Sequence, residues 1–251
     1  ELNMPQSMPQ KVPPNVPQNV PQYAPPNDVS TSGDAGSGQS TSTPTQPGMA
    51  TPGHASVPSS KPTIGILLAS TRQGRKGEPV ARWVERLARL RQGWEVEFID
   101  IAEWVFPPYR HPDSPMVADR SYADEKERAW VELISRLDGY IFVTPEYNHG
   151  YPAGLKNAID HVYNGWNRKP AAFVSYGGPA GGVRSVQQLR QVVIELQMAP
   201  VRDEVNIPFI GRALDERGEP KEEFQTKRLN RLFDSLEWWT RTLKTGRSRT
   251  D

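Results

Sequence analysis

The most apolar run in the chain is 64–69, within 63–69 (TIGILLA), the pattern of a strand covered on both faces. Polar, glycine-containing residues 70–77 follow. The next segment, 79–92, sets Val80, Trp83, Val84, Leu87 and Leu90 at helical spacing. Residues 94–101 (WEVEFIDI) alternate and predict a second strand. Residues 139–144 (GYIFVT), 169–176 (KPAAFVSY) and 199–207 predict three more. Helices are expected at 121–137, with Ser121 as N-cap and Asp124 three residues on, and after Pro152, where Leu155, Ala158, Ile159 and Val162 share a face. Two further helices are expected at 183–198 and 221–245. The last carries a stripe from Leu229 to Leu243, with Trp238 and Trp239, that suits a core or an interface equally. The α/β alternation predicts a doubly wound parallel sheet. In such a sheet a ligand sits beyond the carboxyl ends of the strands, where strand order reverses.

Residues 1–60 break this pattern. They hold 12 of the chain's 25 prolines, one aromatic residue (Tyr23) and four charged residues (Glu1, Lys11, Asp28 and Asp34). Such a composition buries too little apolar area to offset the entropy of ordering, so 1–60 is expected to be a disordered Pro/Gln/Ser-rich tail and 61–251 one folded domain. The tail lacks the apolar core of a secretory signal. No stretch approaches the roughly 18 apolar residues of a membrane span, so the expectation is a soluble, cytoplasmic protein with no membrane partner.

The chain carries a formal +1 overall. The domain carries +3, because a single lysine and three acids lie ahead of it. That balance gives no electrostatic reason to expect a nucleic-acid partner. There is no cysteine, so disulfides, iron–sulfur clusters and thiol nucleophiles are excluded, and redox chemistry would need a bound cofactor.

Three loops at the predicted carboxyl edge have unusual sequences. The first, Ser70-Thr71-Arg72-Gln73-Gly74-Arg75-Lys76-Gly77, runs from a buried strand into a helix. Backbone N–H groups and the helix dipole favour an anion there, and Arg72, with Arg75 as a second candidate, can hold phosphate oxygens in a two-pronged grip. It matches neither the P-loop nor the dinucleotide glycine fingerprint. The second, 144–152 (TPEYNHGYP), is stiffened by two prolines and offers Tyr147 and Asn148 to a flat heteroaromatic edge; the plain alternative is a stiff connector. The third, 175–182 (SYGGPAGG), lets backbone approach a ligand closely, or serves as an ordinary linker.

The segments 64–77 (IGILLASTRQGRKG), 143–162 (VTPEYNHGYPAGLKNAIDHV) and 181–191 (GGVRSVQQLRQ) resemble the NAD(P)H-dependent FMN reductase family, across essentially all of 61–210. The resemblance implies a flavodoxin-like five-stranded sheet of order 2-1-3-4-5 with helices on both faces. It implies FMN as cofactor, with NADPH or NADH as co-substrate and small acceptors such as flavins, quinones, azo compounds or chromate. The phosphate would lie on Ser70, Arg72, Gln73, Gly74 and Arg75. The ring would lie against Pro145, Glu146, Tyr147 and Asn148 on one side and Ser175, Gly177 and Gly178 on the other. Family members commonly form homodimers or homotetramers with the flavin near the interface. No catalytic side chain is named, since the flavin carries the chemistry, with hydride delivered to it by a stacked nicotinamide. A flavin-binding electron carrier or sensor is the alternative reading; the +3 domain argues mildly against it, because carriers usually dock through acidic surfaces.

Other expectations are open or negative. The Pro-rich loop 103–120, with Trp104, Phe106 and Tyr109, would cover the flavin or a neighbouring subunit, or pack on its own core. The histidines His54, His111, His149 and His161 show no metal-ligand spacing. Asp160 and His161 are expected at a surface or interface. The nucleophile elbow of a serine hydrolase is absent.

Overall fold

The structure, a computed structural model, describes residues 61–249. The expected tail at 1–60 lies outside the described residues. Five strands follow in the order β1 (Thr63–Leu68), β2 (Glu95–Asp100), β3 (Gly139–Pro145), β4 (Pro170–Tyr176) and β5 (Ala199–Ile207). Seven helices separate or follow them: α1 (Gly77–Arg89), α2 (Pro115–Ala118), α3 (Glu125–Arg136), α4 (Ala153–Asp160), α5 (Val183–Glu195), α6 (Ile210–Ala213) and α7 (Glu223–Arg247). All strand pairs are parallel, and the sheet order is β2-β1-β3-β4-β5, the flavodoxin-like arrangement.

Burial follows from that order. Every residue of β3 and β4 is buried, whereas β2 and β5, at the edges, are mostly partly exposed, with Ile99 the one buried residue of β2. Along β3, Tyr140 and Phe142 point into one core, while Ile141 and Val143 point into the other. The first core is closed by Trp130 and Ile134 of α3, Leu155 and Ile159 of α4, and Leu189 and Val193 of α5. The second is closed by Trp83 and Val84 of α1 and by Leu229, Phe233 and Leu236 of α7. The stripe on the last helix is therefore mainly core, although Trp238 and Trp239 remain exposed. Truncating a fully buried ring such as Phe173 to alanine would cost about 3–5 kcal/mol.

Two local expectations are corrected. Helix α3 starts at Glu125, not Ser121, because the Asp124 carboxylate accepts the Glu127 N–H at 3.0 Å and makes the cap itself. His161 is buried rather than on the surface. Helix α4 ends at Asp160, and His161 turns inward to stack on Phe106 at 4.6 Å, its Nδ1 2.7 Å from the Asn157 carbonyl. The segment after β2 packs on its own core. Phe106 is buried, and Trp104 lies 5.0 Å from Trp130.

At the amino ends of the strands, Asp138 gathers the Thr63 N–H (3.1 Å), Lys244 (2.8 Å) and Arg247 (2.7 Å). Beside it, the buried Lys169 ammonium donates to the Ile134 and Ser135 carbonyls at the end of α3, at 3.0 and 2.7 Å. It thereby satisfies carbonyls that the helix itself leaves without partners.

Candidate active site

Because β1 and β3 are neighbours while β2 and β4 lie on their outer sides, a crevice opens at the carboxyl ends of β1 and β3. The loops after β1, β3 and β4 meet there.

The loop after β1 rests on Asp100. The register pairs Leu68 with Asp100, which brings the end of β2 beneath the loop. The Arg75 guanidinium grips both Asp100 carboxylate oxygens and also donates to the Ser70 carbonyl at 2.7 Å. This pairing raises the Arg75 pKa above its ordinary value. The arginine therefore braces the loop from below. Arg72 and Gln73 point to solvent and have no hydrogen-bonding or ion-pair partner among the described residues. The N–H groups of Ser70 through Gly74 meet no backbone carbonyl outside the regular elements.

The loop after β3 closes as a tight turn. Tyr147 and Gly150 exchange both backbone hydrogen bonds, at 2.8 and 2.9 Å, with Asn148 and His149 at φ 48° and 67°. Paired positive φ values define a type I′ turn, a conformation asparagine tolerates and histidine rarely adopts. The turn presents the Asn148 and His149 side chains to solvent. Pro145 is buried beneath it, as the last residue of β3.

The loop after β4 leads into α5 through Gly181 and Gly182 at φ 62° and 89°. A Cβ on Gly182 would lie 2.7 Å from that of Ser175, so the position needs glycine on two counts. Gly182 has no side chain to cap α5, and Glu146 caps it from the neighbouring loop. Its carboxylate accepts the Arg184 N–H at 3.2 Å and pairs with the Arg184 side chain. The buried Ser175 hydroxyl donates to the Gly181 carbonyl at 2.8 Å and accepts from Asn206 at 3.0 Å. The side chains of Glu146 and Ser175 thus hold the loops together. Gly178 has open space where a Cβ would stand.

One cross-link spans the crevice: the Ser70 and Tyr147 hydroxyls are hydrogen-bonded at 2.7 Å. Below it lies Tyr176, 4% exposed, its hydroxyl buried without a partner. Burial drives that hydroxyl's pKa well above the ordinary tyrosine value, with the neighbouring Tyr147 adding to the effect. The hydroxyl lies against Gly77, where a Cβ would be 2.0 Å away. Tyr176 is part of the third loop but not one of the expected cofactor-binding residues, because it reads as the last residue of an apolar strand.

A second missed element is the turn after β5. Phe209 and Ile210 donate their N–H groups to Gly178 and Gly177, both at 3.0 Å, and so fix the glycine loop from outside. Phe209 holds φ 49°, a costly conformation for a bulky residue, and is 45% exposed beneath the Arg212 guanidinium at 4.6 Å.

No group of His, Asp or Glu among the described residues is arranged to hold a metal ion. A family model, NADPH-dependent FMN reductase, matches residues 62–211. The chain belongs to that family. It is an FMN-dependent oxidoreductase that draws on NAD(P)H. This reductase is 36% identical over 149 residues to an NAD(P)H-dependent FMN reductase of Schizosaccharomyces pombe, covering 59% of this chain and 74% of that one. It is 31% identical over 158 residues to an NADPH:quinone oxidoreductase of Arabidopsis thaliana, covering 61% and 78%. Among solved structures, the flavoenzyme NAD(P)H:(acceptor) oxidoreductase FerB of Paracoccus denitrificans shares the fold, with TM-score 0.59 and 24% identity over 72% of this chain and 98% of that one.

The residues of the reductase fit its cofactor. A run of N–H groups without backbone acceptors, an unpaired guanidinium and an orphaned tyrosine hydroxyl form a donor set suited to a phosphate and a polyol chain. The open space at Gly178 suits a flat ring.

Proposed function

We propose that the crevice binds FMN with its phosphate on the 70–74 turn and its ring between the turn at 145–148 and Gly177–Gly178. The observation that carries this reading is the Ser70–Tyr147 hydrogen bond, because it ties the anion-binding loop to the ring-bordering loop at the switch point. FMN held there would supply the hydride-transfer chemistry between NAD(P)H and an acceptor. The chain's own part is binding and orientation. Arg72 and the loop N–H groups hold the phosphate, Tyr147 and Asn148 border the ring, and Glu146, Arg75 and Ser175 lock the loops in place. Rigid loops matter because two flat rings must meet at contact distance, and a displaced loop would spoil that stacking.

Quinones are the favoured acceptor class, in line with relatives named NADPH:quinone oxidoreductase and quinone reductase, and an open ring face selects little by shape. Homodimers or homotetramers belong to the same reading. Exposed apolar residues Val105, Met116 and Val117, on the segment after β2, support it. Cytoplasmic residence is proposed from the co-substrate, since NAD(P)H pools are intracellular; no described helix is long and apolar enough to cross a membrane.

The test is the visible spectrum of the purified protein before and after anaerobic NADPH. Flavin bands that bleach, followed by steady turnover with a quinone, are expected. Flavin bands that persist would point to a carrier or sensor, and a failure to bind added FMN would overturn the site.

A further inference from the structure

The three flavin loops leave one charged feature of the molecule unexplained. A cavity of about 800 Å³ opens at the free edge of β5, between α5 and α7. It is lined by Arg190, Arg202, Arg228 and Arg231, against the two carboxylates Asp203 and Glu204. Both carboxylates are already engaged. Glu204 accepts from Arg190 at 2.9 Å and from Asn206 at 3.2 Å, and Asp203 accepts the Ser235 hydroxyl at 2.7 Å. Arg190 lies over the Phe173 ring at 4.8 Å and also donates to the Arg202 carbonyl. Arg202, Arg228 and Arg231 form no ion pair among the described residues. Arg228 makes one long contact, 3.4 Å to the Asn206 side-chain oxygen. The cavity therefore holds a formal excess of two positive charges, on guanidinium groups that lack carboxylate partners.

The backbone explains how they come together. Opposite β4, Ala171 pairs with Pro200 but Phe173 pairs with Glu204, so β5 bulges between those points. A bulge unpairs the local backbone and re-aims its side chains, and here it carries Arg202 toward the arginines of the flanking helices. It also spoils the edge for pairing with an added strand, which argues against an extended peptide as occupant. Guanidinium groups without carboxylate partners suit phosphate, whose oxygens accept paired N–H donors. The volume lies in the range of organic ligand sites, well beyond a bare inorganic ion.

We propose that this cleft is a second binding site, separate from the flavin crevice, for an organic phosphate carrying at least two negative charges. Two sources share that chemistry: the ribose phosphate that distinguishes NADPH from NADH, and an independent phosphorylated effector.

The experiment uses the FMN-loaded enzyme, so that the loop after β1 is filled, with pyrophosphate and 2′,5′-ADP as calorimetric probes. Wild type is expected to bind at least one of them, more weakly as salt rises. Arg202→Gln with Arg231→Gln should weaken that binding at least tenfold while leaving flavin content and turnover with NADH unchanged. Both side chains are exposed, so the variant is expected to fold normally, checked by its melting temperature. A KM for NADPH that rises in the variant, with KM for NADH constant, assigns the cleft to the co-substrate. Lost probe binding with both KM values constant assigns it to an effector. Absence of binding to wild type, or equal binding to wild type and variant, overturns the proposal.

Discussion

Ser70 and Tyr147 stand 77 positions apart in the chain, and their hydroxyls share a hydrogen bond of 2.7 Å. The bond joins the loop after β1 to the loop after β3. Removing it with Tyr147→Phe leaves the Ser70 hydroxyl, 1% exposed as a residue, without its tyrosine partner. A loss of about 1 kcal/mol in FMN binding is expected, roughly five- to tenfold in Kd. Flavin fluorescence titration reads it. An unchanged Kd would show that the two loops hold their places without the bond.

Arg72 separates binding from folding. Its side chain is exposed and unpaired, so Arg72→Ala should leave the melting temperature of the apoprotein within a degree or two. FMN affinity should fall about 10- to 100-fold, the worth of a charge-assisted contact. Riboflavin, which has no phosphate, should bind wild type and variant alike. Equal losses for both flavins would place Arg72 elsewhere than on the phosphate.

Tyr176 is expected to show opposite signs in two assays. Its buried hydroxyl has no partner in the apoprotein, a situation that costs about 1–3 kcal/mol. Tyr176→Phe should therefore raise apoprotein stability, by about 1 kcal/mol in urea unfolding, while weakening FMN binding. If stability and affinity both fall, the hydroxyl serves the core and not the ligand.

Lys169 imposes a pH dependence unrelated to the flavin. Burial, with the Arg247 guanidinium nearby, pulls its pKa down from 10.5 to about 7, against a smaller opposing pull from Asp138. Between those values the unfolded chain holds the proton that the folded chain has released. Stability should therefore rise with pH across that window, by up to about 1.4 kcal/mol per unit from this group. Lys169→Met should flatten the rise between pH 7 and 9.5, measured by chemical denaturation at fixed ionic strength. A slope identical to wild type would mean the ammonium stays charged on its carbonyl partners.

The elements were legible in the chain because their burial is one-sided or complete. Residues 63–69 read as a strand covered on both faces and 139–144 as a strand, and β1 and β3 are buried strands at those positions. The loops were legible through proline and glycine, whose backbone constraints survive any tertiary context. The brace under the first loop was not. Arg75 reads as a phosphate ligand until the register sets Asp100 beside Leu68, a contact that depends on strand order and not on local sequence. Phe209 was equally hidden, because its role comes from its backbone N–H and a positive φ rather than from its ring. His161 was misplaced because one residue decides whether a side chain lies on a helix face or turns under it, and α4 stops just before it.

The gathering of Thr63, Lys244 and Arg247 on Asp138 has a practical consequence. It fixes the first strand and the last helical turn of the domain side by side, at the amino ends of the strands. The loops after β1, β3 and β4 lie at the opposite ends. A tether, tag or electrode linker joined at either side of 63–247 therefore leaves from the end remote from the crevice, and the enzyme can be immobilised with its mouth facing the solution.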